Sequence, residues 1–480
     1  MIVRWPIPCH GIQAGEAFRR LRNSTVFWSW AFNFLRLGTG LVLLPLLFHK
    51  LSSAELGMYY VLMGLMALAP VVDFGFNPTI VRFVSYAMGG AETIQAQGFA
   101  RAKTAGPNYR LLWRLFYTTR LLYRYLSLVV LVLVGVWGTY VVEMRIHETP
   151  FPNVARAAWA VSLVATSFDI YSGWAMIFLR GMNEVLPSVR IGVLSTFVKF
   201  GVGAGLLLAG AGLMSLPLAT LVGSLLQQSL ARRHCHKKLG NYPPPEKLDV
   251  WEELRVLWPN SWRLGVTAVC SCLTAQASTA ICLKFLGLIS FGQYGLSCQL
   301  VGIISGMAMV WTQVKWQVVG QHRTRHDYAA MQRLLWPRFW LQNLTFLVLA
   351  AGLLVCGPPL LQGIGSGKQM LPFGWLACLA FYSFMELYLS FWTSLISTEN
   401  RVPFLWHAVA ASLLSVSLSL ILIHTTALGI GALVLAPVLA GSVCNYWYWP
   451  LVSARSLRTR LLRFMFGVPQ ASPAQESSPA

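Results

Sequence analysis

Long runs of apolar residues, separated by short polar stretches, cover most of the chain. Each run is long enough to cross the hydrocarbon core of a bilayer as a helix, which takes about 20 residues. Strands of a membrane barrel are about 10 residues long and alternate in polarity, so the runs do not fit that class. The pattern predicts an all-α polytopic membrane protein with about 12 transmembrane helices. The runs cover residues 25–48, 57–87, 115–142, 154–179, 187–210, 212–231, 262–285, 290–316, 339–361, 372–397, 402–424 and 428–450.

The composition supports this class. Hydrophobic residues make up 56% of the 480 residues and charged residues only 11%, whereas soluble domains carry about 25% charged residues. A disordered chain would be far less apolar. The net charge of +21 lies between apolar runs rather than on a polar surface, so no nucleic-acid partner is expected.

The basic residues divide unequally between the two sets of connections. With the N-terminus inside, 30 of the 37 Lys and Arg fall on the cytoplasmic side and five on the other. This is the positive-inside bias of membrane proteins. It predicts a multi-pass protein of the bacterial inner (plasma) membrane with both termini in the cytoplasm.

The two halves of the chain resemble each other weakly. LFHKL and LGMY follow the first run, and LKFL and FGQY follow the seventh. Parallel repeats of this kind are typical of transporters, in which two bundles rock about a substrate path. The prediction is a cytoplasmic N-terminal segment (1–24), a six-helix bundle (25–231), a cytoplasmic amphipathic linker (232–261), a second six-helix bundle (262–450) and a partly disordered cytoplasmic tail (451–480).

Four short motifs point to a family. LSSAELGMY at 51–59, DFGFNPT at 73–79, RFVS at 82–85 and RGMN at 180–183 resemble the Wzx-type polysaccharide flippases of the MOP superfamily, to which the MATE exporters are related. The resemblance implies a transporter that moves a polyprenyl-diphosphate-linked oligosaccharide across the inner membrane, driven by a proton or sodium gradient. It also implies a role in O-antigen, capsule or exopolysaccharide synthesis, with a polysaccharide polymerase as a possible partner beside the membrane lipids.

Ionisable residues inside the runs are candidates for the transport site, because each costs about 2.5–3.5 kcal/mol at the centre of a span and tends to face a cavity or a partner. The cations are Arg36, Lys199 and Arg82, and the carboxylates are Asp73, Asp169 and Glu386. In one interpretation the cations line a cavity for a diphosphate, which a guanidinium binds bidentately, and the carboxylates carry the coupling ion.

In the other interpretation the charges only hold the bundle together, as the pairs Arg36 with Asp73 and Lys199 with Asp169. Asp73 could also cap the helix that follows the Pro70 kink. Glu386 has no cation within the spans of its own half-bundle, which makes it the preferred proton carrier.

Other classes of function fit less well. A MATE-like exporter of small cations would prefer an acidic cavity, and a membrane polymerase or ligase would need a larger outer loop than residues 143–153. His234-Cys235-His236 lacks a second cluster of ligands, so we expect no metal. The sequence therefore predicts a transporter rather than an enzyme, with no cofactor.

Overall fold

The structure is a computed structural model that describes residues 24–67, 69–96, 98, 106–149, 151–240, 250–363 and 370–467. The predicted N-terminal segment therefore lies outside the described residues except for Ser24, and so does the tail beyond Gly467. All regular elements in the described part are helical. They are α1 (Thr25–Lys50), α2 (Ser53–Met66), α3 (Phe76–Met88), α4 (Tyr109–Arg145), α5 (Pro152–Gly181), α6 (Val185–Leu208), α7 (Ser215–Leu239), α8 (Val250–Gln313), α9 (Trp316–Thr324), α10 (Tyr328–Gly363), α11 (Phe373–Ser397), α12 (Leu405–Thr425), α13 (Ile430–Cys444), α14 (Tyr448–Ser456) and α15 (Leu461–Phe466), with 3-10 turns at Ala69–Asp73, Ile146–Glu148 and Gly212–Met214.

The helices confirm a polytopic membrane protein. Within the described residues, ten helical stretches are long and apolar enough to cross a membrane, or eleven if the bent pair α13 and α14 forms one span. Helix α1 has 26 residues and rises about 39 Å at 1.5 Å per residue, which also suffices for a crossing. The ten stretches, the bent pair and α1 together give the predicted total of about twelve spans.

The second predicted span is broken into pieces. Helix α2 begins with a capping box, in which Ser52 accepts from the Glu55 amide and Glu55 accepts from the Ser52 amide, so two of the free N–H groups at the helix start are satisfied. The chain then passes through the 3-10 turn containing Pro70 and restarts as α3 after Gly75, whose φ is +80°. The break follows from proline, which cannot donate to the helix, and from a glycine in the left-handed region.

The second part of the predicted linker, residues 250–261, and the predicted seventh span form one helix, whereas residues 232–239 of that linker continue α7. Helix α8 runs from Val250 to Gln313 and contains Pro259, and a kink at Gly287, where φ is +80°, separates the seventh span from the eighth. At its start, the nearly buried carboxylate of Glu253 pairs with Arg114 of α4, while Trp251 and Trp258 are exposed. The amphipathic segment therefore packs its acidic face on the first bundle and leaves indole rings at the surface.

The helices form two groups, α1–α7 and α8–α15, and the two groups meet at one face of the molecule. We call this face the basic side; it holds the start of α1, the ends of α3, α5 and α11, and the start of α8. Tyr86 of α3 donates to the Thr398 carbonyl, and Asn260 of α8 donates to the Asn400 side chain at 2.9 Å. Asn400 in turn donates to the Gln95 carbonyl at 2.6 Å. Among the residues that the structure describes, the hydrogen bonds between the two groups lie in this half of the protein.

Gly75 lies in one of the closest contacts between α3 and the second group. A Cβ atom there would lie 2.4 Å from the Ser261 carbonyl oxygen and 2.7 Å from the Gly265 amide nitrogen. Both atoms belong to the backbone of α8, so they cannot rotate out of the way. The start of α3 therefore touches α8 directly, and only glycine combines that contact with a positive φ.

Candidate functional site: a cavity between the two helix groups

A cavity of about 650 Å³ lies between the two groups, in the half of the protein towards the basic side. Its volume is within the range of ligand pockets, about 300–1,000 Å³. Its walls come from α1, α3 and the α5–α6 corner on one side, and from α8, α9 and α11 on the other. The polar and charged lining residues are Ser29, Asn33, Asn77, Arg82, Ser85, Arg180, Gln313, Gln317, Thr393, Ser394, Ser397 and Thr398.

The charge of this lining has one sign. Arg82 and Arg180 are its two basic side chains, and no carboxylate belongs to the lining that the structure describes. Amide and hydroxyl groups supply the other polar contacts. Such a site attracts anions, because guanidinium groups match the geometry of phosphate or carboxylate oxygens.

Arg82 is held from two sides. Its side chain, 8% exposed, donates to the Ser397 carbonyl at the end of α11 and, at 3.5 Å, to Thr79 Oγ1 on its own helix. Within the described residues it has no carboxylate partner. Arg82 thus bridges the two helix groups while keeping a positive charge beside the cavity.

Arg180 was missed as a candidate site residue. By sequence it is one of the cations of the basic connections, and it belongs to the RGMN motif at the end of α5. In the structure the helix ends immediately after it, at Gly181, and its exposed side chain lines the cavity. The motif itself, which places an arginine at a helix end, was the available signal.

Lys199 and Asp169 lie together, away from the lining of this cavity. Lys199 Nζ is 2.9 Å from Asp169 Oδ1, and the Ser224 hydroxyl also donates to that oxygen. Gly223 makes room for the lysine, since a Cβ there would lie 2.2 Å from Lys199 Cγ. The structure thus contains one of the two anticipated pairs, linking α5, α6 and α7.

Asp73 lies at the break in the second span. Its Oδ2 accepts from the Asn77 amide at 3.1 Å, and its Oδ1 accepts from the Tyr123 hydroxyl. The carboxylate therefore satisfies an N–H group in the first turn of α3. The backbone of Arg36 lies in α1, but its side chain is outside the described part, so the anticipated Arg36–Asp73 pair is as well.

Glu386 lies in the middle of α11. Its Oε1 accepts from the Tyr446 hydroxyl at 2.8 Å, and the side chain is exposed. Thr393, which lines the cavity, is seven residues further along, which is the same face of the helix about 10 Å away. Glu386 therefore lies on the face of α11 that lines the cavity, but further from the basic side.

Comparison with solved structures identifies the fold as that of the MATE transporters of the MOP superfamily. A MATE in its bent conformation aligns with a TM-score of 0.67 at 12% identity, over 92% of this chain and 96% of that one. An outward-facing multidrug resistance MATE family transporter aligns at 0.63 and 12%, over 93% and 98%. A MOP superfamily transporter from Pyrococcus furiosus aligns at 0.63 and 13%, over 92% and 97%. No family model and no curated protein matches the sequence.

Proposed function

We propose that the chain is a flippase that moves a polyprenyl-diphosphate-linked oligosaccharide across the inner membrane by alternating access. The observation that carries this proposal is the cavity between the two helix groups, which has Arg82 and Arg180 in its lining and no carboxylate among the described lining residues. A diphosphate carries the charge that such a cavity selects. The uneven distribution of Lys and Arg supports cytoplasmic termini and hence a cavity near the cytoplasmic side.

Arg36, the cation predicted in the first span, also belongs to this proposal. Its backbone lies in α1, as do those of the lining residues Ser29 and Asn33, and its side chain lies outside the described residues. Arg36 comes deeper in the span, further from the basic side. We propose that the substrate diphosphate meets Arg82 and Arg180 first and Arg36 afterwards.

The coupling ion requires a carboxylate that can change its charge. We propose Glu386 for this role, because it is in mid-span and its partner Tyr446 is a neutral donor. The Lys199–Asp169 pair can release its carboxylate only when the lysine moves, so we assign it to charge pairing that holds α5 to α6. Asp73 has two donors and a capping position, and we assign it to the break in the second span.

Export of small cations is the second candidate. The similar solved structures include a transporter described as a multidrug resistance protein, which favours it. The lining of the cavity disfavours it, because two arginines repel a cation. The Pyrococcus furiosus transporter is itself described as having a binding pocket of reverse polarity, which suggests a different function. Pocket charge thus differs between proteins of this fold, and we use it as the deciding criterion.

Binding of two opposite probes tests the proposal. Purified protein in nanodiscs is titrated with a polyprenyl diphosphate and, separately, with the lipophilic cation tetraphenylphosphonium. We expect the diphosphate to bind, and the Arg82→Gln and Arg180→Gln variants to weaken it about tenfold each, as expected for loss of one charge-assisted hydrogen bond. The control Arg333→Gln removes an exposed cation of α10 and should bind normally. Tight binding of the cation with no binding of the diphosphate would reverse the assignment.

A further inference from the structure

A second cavity, which we call the groove, opens at the surface of the first helix group between α4 and α5. Its volume is about 590 Å³. It is separate from the cavity between the two groups and shares no residue with it. The residues around it include Arg120, Arg124, Leu128, Leu131, Phe168 and Val250.

The two arginines of this groove lie at the depth of the lipid headgroups. Helix α4 is longer than a membrane crossing requires, and its apolar part, residues 126–142, rises about 25 Å at 1.5 Å per residue. That length takes up most of a hydrocarbon core of about 30 Å. Arg120 and Arg124 come immediately before it on the basic side, whereas Leu128 and Leu131 lie inside it.

The polar end of the groove is cationic. Arg120 and Arg124 are four residues apart, so they share one face of α4. Arg120 Nε lies 3.5 Å from the Tyr171 hydroxyl. Neither arginine forms an ion pair with a carboxylate of the described residues, in contrast to Arg114, which pairs with Glu253. The guanidinium groups therefore have donors free for an anion at the surface of the membrane.

The other end of the groove is apolar. Leu128 and Leu131 are 48% and 37% exposed, and Phe168 of α5 forms the facing wall. A soluble anion would satisfy the arginines and leave this wall unoccupied. A molecule with an anionic head and a hydrocarbon chain satisfies both ends at once, and the membrane supplies such molecules next to the groove.

We propose that this groove binds an anionic phospholipid of the leaflet on the basic side. The phosphodiester lies against Arg120 and Arg124, and one acyl chain runs along Leu128 and Leu131. The first residue of α8, Val250, forms part of the rim. The lipid thus contacts the start of the helix that leads into the second helix group.

Native mass spectrometry of delipidated protein tests this proposal. The protein is titrated with phosphatidylglycerol and with phosphatidylcholine of identical acyl chains. We expect phosphatidylglycerol to bind more tightly, and the Arg120→Gln/Arg124→Gln variant to weaken its binding at least about tenfold. The matched control Arg333→Gln/Arg401→Gln loses the same charge from exposed positions on the basic side and should bind as the unmodified protein does.

A second variant separates the groove from general effects of charge or folding. Leu131→Trp keeps both arginines and fills the apolar end, so it should also weaken phosphatidylglycerol binding while the melting temperature of the protein stays the same. Equal weakening in the two double variants would overturn the proposal, as would equal affinity of the unmodified protein for the two lipids. Neither outcome depends on what the central cavity transports, because the groove and the cavity share no residue.

Discussion

Replacing Gly75 by alanine tests whether the contact between α3 and α8 holds the two helix groups together. The added Cβ would lie 2.4 Å from the Ser261 carbonyl oxygen and 2.7 Å from the Gly265 amide nitrogen. The backbone at this position has φ +80°. An L side chain in that conformation costs about 1–2 kcal/mol, and forcing an atom into a packed contact costs about 1–3 kcal/mol. We therefore expect Gly75→Ala to destabilise the contact by about 2–5 kcal/mol.

The assay compares two glycines of the same broken span. Gly64 lies inside α2, and a Cβ there would meet nothing within 4 Å. Gly64→Ala should therefore raise stability by about 0.5–1 kcal/mol, as alanine does in a helix interior. Stability is measured by denaturant unfolding in mixed micelles, and the spacing of the groups by spin labels on α3 and α8 near the basic side.

The two variants should change stability in opposite directions. Gly75→Ala should lower the unfolding midpoint and lengthen the distance between the labels, whereas Gly64→Ala should do neither. If Gly75→Ala were as stable as Gly64→Ala and the label distance were unchanged, the close contact between α3 and α8 would not hold the groups together in the protein.

Three further predictions concern the charged and capping groups. Asp169→Asn should destabilise the protein by leaving Lys199 without its partner, and adding Lys199→Met should recover stability. A double-mutant cycle measured by denaturant unfolding should give a coupling energy of about 1–3 kcal/mol. A coupling energy of zero would contradict a stabilising interaction between the two side chains. Glu386→Gln should abolish transport driven by a pH gradient in proteoliposomes, whereas Tyr446→Phe keeps the carboxyl group and should change only the pH profile. Unchanged proton dependence of transport in Glu386→Gln would exclude Glu386 as the proton carrier. Ser52→Ala should cost about 1 kcal/mol through loss of the cap on α2, seen as faster amide exchange in its first turn, and unchanged exchange would show that the capping box is not needed.

The arrangement of helices could be predicted because burial in a membrane imposes a length on every span. The apolar runs therefore located the helices well. Length alone does not show the break in the second span. Pro70 and Asp73 within residues 57–87 predict a kink followed by a capped helix, and the structure adds the left-handed Gly75 between the two helices. The start of α8 was not predicted as part of a span, because polar residues near Glu253 separate residues 250–261 from the apolar run at 262–285.

The candidate site was harder to predict, because side chains of one charge serve different purposes. Arg180 and Arg333 both belong to the basic connections, but the structure places Arg180 in the cavity lining and Arg333 at the surface. Lys199 was conspicuous in mid-span, and it pairs with Asp169 outside the cavity lining. Distance in three dimensions decides between these cases, and helical spacing alone does not supply it.

The motifs behind the family resemblance also acquire a physical explanation. Glu55 completes the capping box of α2, Asp73 accepts from the first turn of α3, and Gly75 permits the contact with α8. These residues build a broken span in a fixed shape. Their pattern therefore explains the shape of the broken span, whereas the proposed substrate rests on the charge of the cavity lining.

Helix α8 also limits how the two halves can move. It is anchored to the first group through Glu253 and Arg114, and it stays helical from Val250 up to the kink at Gly287. A rigid rod fixed at both ends transmits any tilt of one half directly to the other. Under the proposed alternating access, rocking of the halves has to break the ion pair, bend the rod at Pro259, where proline removes a helical hydrogen bond, or turn it at Gly287. The polypeptide that joins the halves is thus a lever with two built-in weak points, and bending is expected at Pro259 and Gly287 before it occurs elsewhere in α8.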